Sequence, residues 1–234
     1  MKKILCITPL IHLPKPFDFL RSFGPVDYNP NITKSQMLET NLSQYDVIFC
    51  CPNGQPFVLN EVTLENFSGT ILSASTGLNH IDLEYCKENN IRVLCHKEDH
   101  EGLLNHLPST SELAFGLMLS LLRNIPQSQK HVRDFNWKYK QFIGRQVKDL
   151  KVGIVGYGRL GKMMHRFCEA FEAKVLIYDP YVENTNCKDL KEMFSQCDVV
   201  SLHVHASPDT KHMIDKNLLS LMKPNSYIVN TARG

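Results

Sequence analysis

The chain has 234 residues, with 43% hydrophobic and 21% charged residues and a formal net charge of +2. That length holds one large domain or two small ones. The near-neutral balance supplies no electrostatic footprint for nucleic acid or an anionic membrane surface.

The opening MKKILCITPLIHL has two lysines before an apolar run. Pro9 and His12 interrupt that run and no small-x-small cleavage site follows, so it reads as a first strand and not as a leader. KILCI (3–7), YDVIFCC (45–51), GTILSAST (69–76) and IRVLCH (91–96) read as strands. KSQMLETNLSQ and HIDLEYCKENN (80–90) read as helical stretches between them. Strands alternating with helices imply a parallel sheet.

Residues 97–110 are polar and loop-like, and Ser109, Thr110 and Ser111 before Glu112 form a candidate helix cap. The helix expected over 111–125 is apolar nearly all round, which predicts burial on more than one side, between domains or subunits. Its run LAFGLMLSLL is too short to span a bilayer. Residues 126–146 are polar with scattered aromatics and read as a linker or arm.

A second alternating series starts at 151. KVGIVGYG, KVLIYD (174–179), DVVSLHV (198–204) and SYIVNTA (226–232) read as strands. RLGKMMHRFCEAF (159–171), DLKEMFSQ (189–196) and KNLLSLM (216–222) read as helices. The two series share a rhythm but no visible residue-level repeat. The eight cysteines form no C-x-x-C pair and several lie in apolar runs, so they read as buried thiols of a reducing, cytoplasmic protein.

The motif with most chemistry in it is Gly156-Tyr157-Gly158-Arg159-Leu160-Gly161. It follows a strand and opens a helix, the context that turns G-x-G-x-x-G into a dinucleotide cradle. Gly156 permits the tight turn, Gly158 lets a pyrophosphate reach the backbone, and Gly161 lets helix and strand pack closely. The helix N-terminus then binds the phosphates. Asp179, 18 residues past Gly161, suits the adenosine ribose hydroxyls. Its charge would repel a 2′-phosphate, and Pro180 and Tyr181 bring no arginine, so the expected cofactor is NAD and not NADP.

With those residues, STGLNHID (75–82), SELAFGLMLSLLRNI (111–125), SLHVHASPDTKHMI (201–214) and NTARG (230–234), the sequence resembles the D-isomer-specific 2-hydroxyacid dehydrogenases. The likeness runs over essentially the whole chain. It implies two α/β domains: a flavodoxin-like substrate domain over 1–100 and a Rossmann cofactor domain over 101–234. The helix 111–125 would be hinge and dimer surface in a homodimer.

The resemblance also implies site residues. Arg159 and Leu160 belong to the pyrophosphate turn, Val204 lies beside the cofactor, and Thr231 and Ala232 approach the nicotinamide. Thr76, with Gly77 and Leu78, would present backbone N–H groups to the substrate carboxylate, with Thr76 also near the cofactor. Arg233 would clamp that carboxylate and polarise the carbonyl, a task suited to a planar, always-charged fork. Asn53, with Gly54 and Gln55 in CPNGQPF, is a small polar candidate for the substrate pocket. The implied partner is a small 2-hydroxy or 2-oxo acid.

Ser75, Asn79, His80 and His205 depart from the family pattern, which has glycine, aspartate, asparagine and proline there. His203 and His205 would share a strand face, but no third ligand accompanies them, so no metal is expected. The family pattern also has a glutamate and a histidine, the acid/base pair, later than Arg233. The doubly wound nucleotide fold has about six strands, and four are read here. The expectation is therefore a C-terminally incomplete dehydrogenase, ending after the fourth strand of its cofactor domain. Alternatives are a natural truncation, an in-chain histidine such as His80 or His203 in the acid/base role, or a non-catalytic NAD(H)-binding sensor of the corepressor type.

Overall fold

Apolar runs of three to five residues build two parallel sheets, one in each of two units, Met1–Leu104 and Asn105–Gly234. The computed structural model describes residues 1–52, 54–96, 102–183 and 185–232.

The first unit runs β1 (Ile4–Cys6), α1 (Pro14–Arg21), β2 (Val26–Tyr28), α2 (Lys34–Glu39), β3 (Val47–Cys50), β4 (Thr70–Ser73), α3 (Leu83–Glu88) and β5 (Arg92–Cys95). All pairings are parallel, in the order β2-β1-β3-β4-β5, the flavodoxin-like winding. Ile7, Ile48, Leu59, Leu64 and Ile71 are its fully buried centre. Four of the five strands were expected. β2 was not, because Val-Asp-Tyr at a sheet edge with Asp27 exposed is neither an apolar run nor an alternation of useful length. Helix α1 was also missed. Its prolines fall in the first turn, where a missing N–H costs nothing, yet in sequence they read as loop. Helix α2 starts at a capping box between Thr33 and Gln36.

The second unit runs α4 (Ser109–Leu122), α5 (Ile125–Arg133), β6 (Lys151–Val155), α6 (Arg159–Ala170), β7 (Lys174–Tyr178), α7 (Leu190–Gln196), β8 (Val199–Leu202), α8 (Lys216–Ser220) and β9 (Tyr227–Asn230). Its strands pair in parallel as β7-β6-β8-β9. Helices α4 and α6 pack on one face of the sheet, with Phe115 set edge-on to Phe167 and Phe171. No cysteine forms a disulfide, and six of the eight are buried.

Three expectations for the segment 109–146 change. The helix read over 111–125 ends at Leu122, because Asn124 takes a left-handed conformation (φ 53°) and starts α5. The polar stretch read as an arm is thus helical over its first part, with Pro126 in the first turn. The expected serine/threonine cap is not formed. Pro108 occupies the cap position, and buried Ser111 instead donates its hydroxyl to the Leu160 carbonyl oxygen (3.0 Å). Within the unit α4 buries one face, through Ala114, Met118 and Leu122. Leu113, Leu117 and Leu121 remain 57%, 41% and 38% exposed.

The structure also reveals a repeat that sequence reading missed. An aspartate precedes the third strand of each unit. Asp46 accepts from the Lys3 N–H through Oδ2 at 2.8 Å, and Asp198 accepts from the Lys151 N–H in the same way at 2.8 Å. Each aspartate's own N–H returns to the carbonyl oxygen of that same lysine. Each aspartate carbonyl then accepts the N–H opening the next strand, Thr70 or Tyr227. One aspartate, through its carboxylate and its own backbone groups, therefore ties together the starts of three strands. The signal is only an Asp-Val dipeptide in each half, too little to register as a repeat.

Asp198 also accepts from Arg145 (2.6 Å) and Lys223 (2.8 Å). Burial alone would push its pKa up. The Arg145, Lys223 and Lys151 hydrogen bonds outweigh that and hold it at about 2, below its ordinary 3.8. A depressed carboxylate stabilises the fold above its unfolded pKa, and that contribution disappears as pH falls through the folded value. Discounted for the partly exposed cations, it is worth about 1–2 kcal/mol. Asp198→Asn should lower unfolding free energy by about that much at pH 7. In urea titrations the gap should narrow below pH 4 and close near pH 2; a gap constant with pH would contradict the assignment.

Candidate functional site

The end of β6 and the start of α6 are forced together. Gly156 has φ +91°, a left-handed backbone that side chains rarely adopt, and a Cβ there would lie 2.7 Å from the His203 carbonyl oxygen. A Cβ on Gly161 would lie 2.0 Å from the Gly156 carbonyl oxygen. Gly158 differs: a Cβ there meets nothing within 4 Å. Gly158 is the N-cap of α6 and no side chain caps the helix. The first-turn N–H groups have no intrahelical acceptors, so the turn offers donors and the positive end of a twelve-residue helix beside open space. The Arg159 guanidinium donates to the Leu107 carbonyl oxygen at 2.8 Å, and the Leu160 carbonyl is held by Ser111.

Asp179 follows β7. Its Oδ2 accepts from the Tyr157 N–H of the turn (2.7 Å) and its Oδ1 from the Tyr181 N–H (2.9 Å). The carboxylate is thus fixed at the turn, and a carboxylate with about four lone-pair directions keeps acceptor capacity on both oxygens. A cleft of about 620 Å³ beside it is lined by Asp179, Pro180, Val182, Glu183, Thr185 and Lys188.

Sequence reading assigned no role to the Tyr157 or His165 side chain. The structure joins them. The Tyr157 hydroxyl meets His165 Nδ1 at 2.6 Å, and His165 Nε2 meets Glu169 at 3.3 Å. The chain ties the middle of the glycine turn to α6. The i, i+4 spacing of His165 and Glu169 on a helix was the available clue.

Past β8, Val204 lies at the glycine turn, its Cγ1 3.0 Å from a Cβ built on Gly156. Past β9, the Thr231 hydroxyl is buried with no hydrogen-bond partner among the described residues, and the Ala232 N–H bonds the Asn230 side chain at 2.9 Å. His203 and His205 do not share a strand face, because β8 ends at Leu202 and both lie beyond it. His203 pairs its Nε2 with Ser201 Oγ (2.9 Å), its Nδ1 is buried without a partner, and burial pushes its pKa down to about 4. It is therefore neutral at pH 7. His205 is exposed. No group of three metal-ligating side chains occurs among the described residues.

In the first unit, Thr76, Gly77 and Leu78 follow β4, and their N–H groups have no acceptor among the described residues. Their loop is shaped by a directed chain. Ser75 Oγ donates to the Gly77 carbonyl (2.6 Å), which uses its only proton. The 3.0 Å contact between Ser73 Oγ and Ser75 Oγ must then have Ser73 as donor. His80 Nε2, 3.1 Å from Ser73 Oγ, must donate in turn. Ser75 and His80, two departures from the family pattern, are thus members of one chain. His80 is buried and its Nε2 is committed to that chain.

Gln55 is 6% exposed, and neither polar atom of its amide has a hydrogen-bond partner among the described residues. Asn53 and Arg233 lie outside the described residues.

Comparison with known proteins agrees with this geometry. Residues 115–234 match the family model of the D-isomer specific 2-hydroxyacid dehydrogenase NAD binding domain. A D-3-phosphoglycerate dehydrogenase of Methanocaldococcus jannaschii is 30% identical over 242 residues, covering all of this chain and 44% of that protein. A hydroxypyruvate reductase of Thermotoga maritima is 34% identical over 168 residues, covering 70% of this chain and 53% of that protein. The chain thus spans about half the length of these curated relatives. The crystal structure of a D-lactate dehydrogenase from Aquifex aeolicus, complexed with NAD and lactic acid, superposes with a TM-score of 0.79 at 26% identity, over 99% of this chain and 69% of that one. An NAD-dependent formate dehydrogenase from Staphylococcus aureus, 24% identical, shares the fold with a TM-score of 0.83 over 99% of this chain and 74% of its own. Among the described residues no helix is long and apolar enough to cross a membrane. The chain belongs to the D-isomer-specific 2-hydroxyacid dehydrogenase family, and its second unit carries the family's NAD-binding domain.

Proposed function

We propose that the intact protein is an NAD-dependent oxidoreductase that moves hydride between the cofactor and C2 of a small D-2-hydroxy or 2-oxo acid. The observation that carries this reading is the glycine turn: closed by Gly156 and Gly161, open at Gly158, and flanked by a fixed carboxylate. The residues present fit the cofactor. The space at Gly158 and the buried, unpartnered Thr231 hydroxyl are features a bound dinucleotide would fill and satisfy. When bound, NAD supplies the hydride acceptor in one direction and the donor in the other.

The backbone of Gly156, Gly158, Arg159, Leu160 and Gly161 holds the pyrophosphate. Asp179 accepts from the adenosine ribose hydroxyls and disfavours a 2′-phosphate. Val204, Thr231 and Ala232 line the nicotinamide end. On the first unit the three unpartnered amides of Thr76, Gly77 and Leu78 form a nest for the substrate carboxylate. The Ser75–Ser73–His80 chain holds the Gly77 carbonyl and keeps that loop in shape. Asn53 lines the pocket and Thr76 also reaches the cofactor. Arg233 clamps the carboxylate and stabilises charge growing on the C2 oxygen.

The exposed stripe of Leu113, Leu117 and Leu121 continues to Ile125 and Val132 on α5. Phe135, Trp137 and Tyr139 follow it, also exposed. Apolar surface of that extent calls for a cover, and a second copy of the chain is the occupant proposed here.

Four substitutions test this reading. Gly158→Ala should leave thermal stability within a few degrees and weaken NADH binding at least about tenfold, because its Cβ enters space that only the cofactor needs. Gly161→Ala should lower the melting temperature as well, since its Cβ meets backbone. Calorimetry and NADH fluorescence titration read both, and equal melting losses would contradict the distinction. Arg233→Ala in the intact protein should reduce kcat about 10²–10³-fold while the NADH Kd stays within threefold; preserved turnover would remove Arg233 from the mechanism. Leu117→Glu should convert a dimer to a monomer in analytical ultracentrifugation, and an unchanged sedimentation coefficient would count against this face.

A further inference from the structure

The amide of Gln55 is buried with both Nε2 and Oε1 unpartnered. Each unmade hydrogen bond of a buried polar group costs about 1–3 kcal/mol, so the position selects for a group that supplies one donor and one acceptor. Its place in the fold says where that group comes from. In the order β2-β1-β3-β4-β5 the winding reverses between β1 and β3. Ligands of open α/β sheets bind outside the carboxyl ends of the strands at such a switch point. Gln55 lies in the loop leaving β3 there. That loop is pressed onto the segment leaving β1: a Cβ on Gly54 would sit 2.7 Å from the Ile7 carbonyl oxygen and 3.1 Å from Thr8 Cα. The next loop along the same edge, after β4, carries the Thr76–Leu78 amides.

We infer that Gln55 is a specificity-determining residue that recognises a hydroxyl on C3 of the 2-oxo acid. The inference rests on the dehydrogenase reading and narrows it. A hydroxyl accepts from Nε2–H and donates to Oε1, so it satisfies both atoms. A C3 methyl satisfies neither. A phosphate ester offers acceptors only and would set an anion against Oε1. The substrate class is therefore a 3-hydroxy-2-oxo acid, ahead of its deoxy or phosphorylated counterparts.

The test is NADH oxidation by the intact protein with hydroxypyruvate, pyruvate and 3-phosphohydroxypyruvate, repeated for Gln55→Leu and Gln55→Met. Wild type should favour hydroxypyruvate over pyruvate by at least about 10²-fold in kcat/KM, because a site built to bond a hydroxyl rejects the analogue lacking it. Both variants should lose at least about tenfold of that ratio, with the NADH Kd within about threefold of wild type. A wild-type preference for pyruvate or the phosphate ester overturns the assignment and leaves the dehydrogenase reading standing. So does a ratio unchanged in the variants, which would give the amide a buried water as partner. No turnover of any 2-oxo acid by wild type overturns the dehydrogenase reading itself. Should both variants fail to fold, the wild-type ratio decides.

Discussion

The cofactor half of the molecule depends on one close approach. Helix α6 begins so near the end of β6 that residue 161 has no room for a Cβ beside the Gly156 carbonyl. That contact aims the helix N-terminus at the open space beside Gly158. It also brings the turn within reach of Asp179, which bonds the Tyr157 N–H. The turn amides, the helix dipole and the fixed Asp179 carboxylate are therefore brought together by a single packing constraint. The Tyr157–His165–Glu169 chain braces the same turn from the helix side.

The two units solve one folding problem in the same way. Parallel strands have no hairpin to set their register, so something at their starts must do it. Asp46 and Asp198 serve that purpose, each bonding the neighbouring strand's first N–H and passing its own carbonyl to the next strand. The amino ends of the strands are thus devoted to register. The carboxyl ends are left for loops with unpartnered donors, such as Thr76–Leu78, and for orphaned groups, such as Thr231 and Gln55. Register-setting bonds and unpartnered polar groups thus occupy opposite ends of the strands in each sheet.

Buried polar groups divide into two kinds here. His80 pairs its Nε2 through Ser73 and Ser75 and acts on the shape of a loop. Gln55 and Thr231 have no hydrogen-bond partner among the described residues, and such buried groups are rare enough to need a physical reason. His203 falls between, with one nitrogen paired and burial keeping its ring neutral.

Sequence alone determined the α/β class, the parallel strands of the second unit, and the glycine turn with Asp179 beside it. These follow from local rules: period, glycine spacing, and a strand running into a helix. The same rules failed at β2, where three residues at a sheet edge carry no pattern, and at α1, whose first-turn prolines look like loop. They overran α4, because nothing in the composition announces that Asn124 turns left-handed. The twin aspartates, the directed Ser75–Ser73–His80 chain, and the isolation of the Gln55 amide were decided only by tertiary structure. Each depends on which residues distant in the chain, or across a loop, come within hydrogen-bond reach. Spacing along a sequence does not encode that distance.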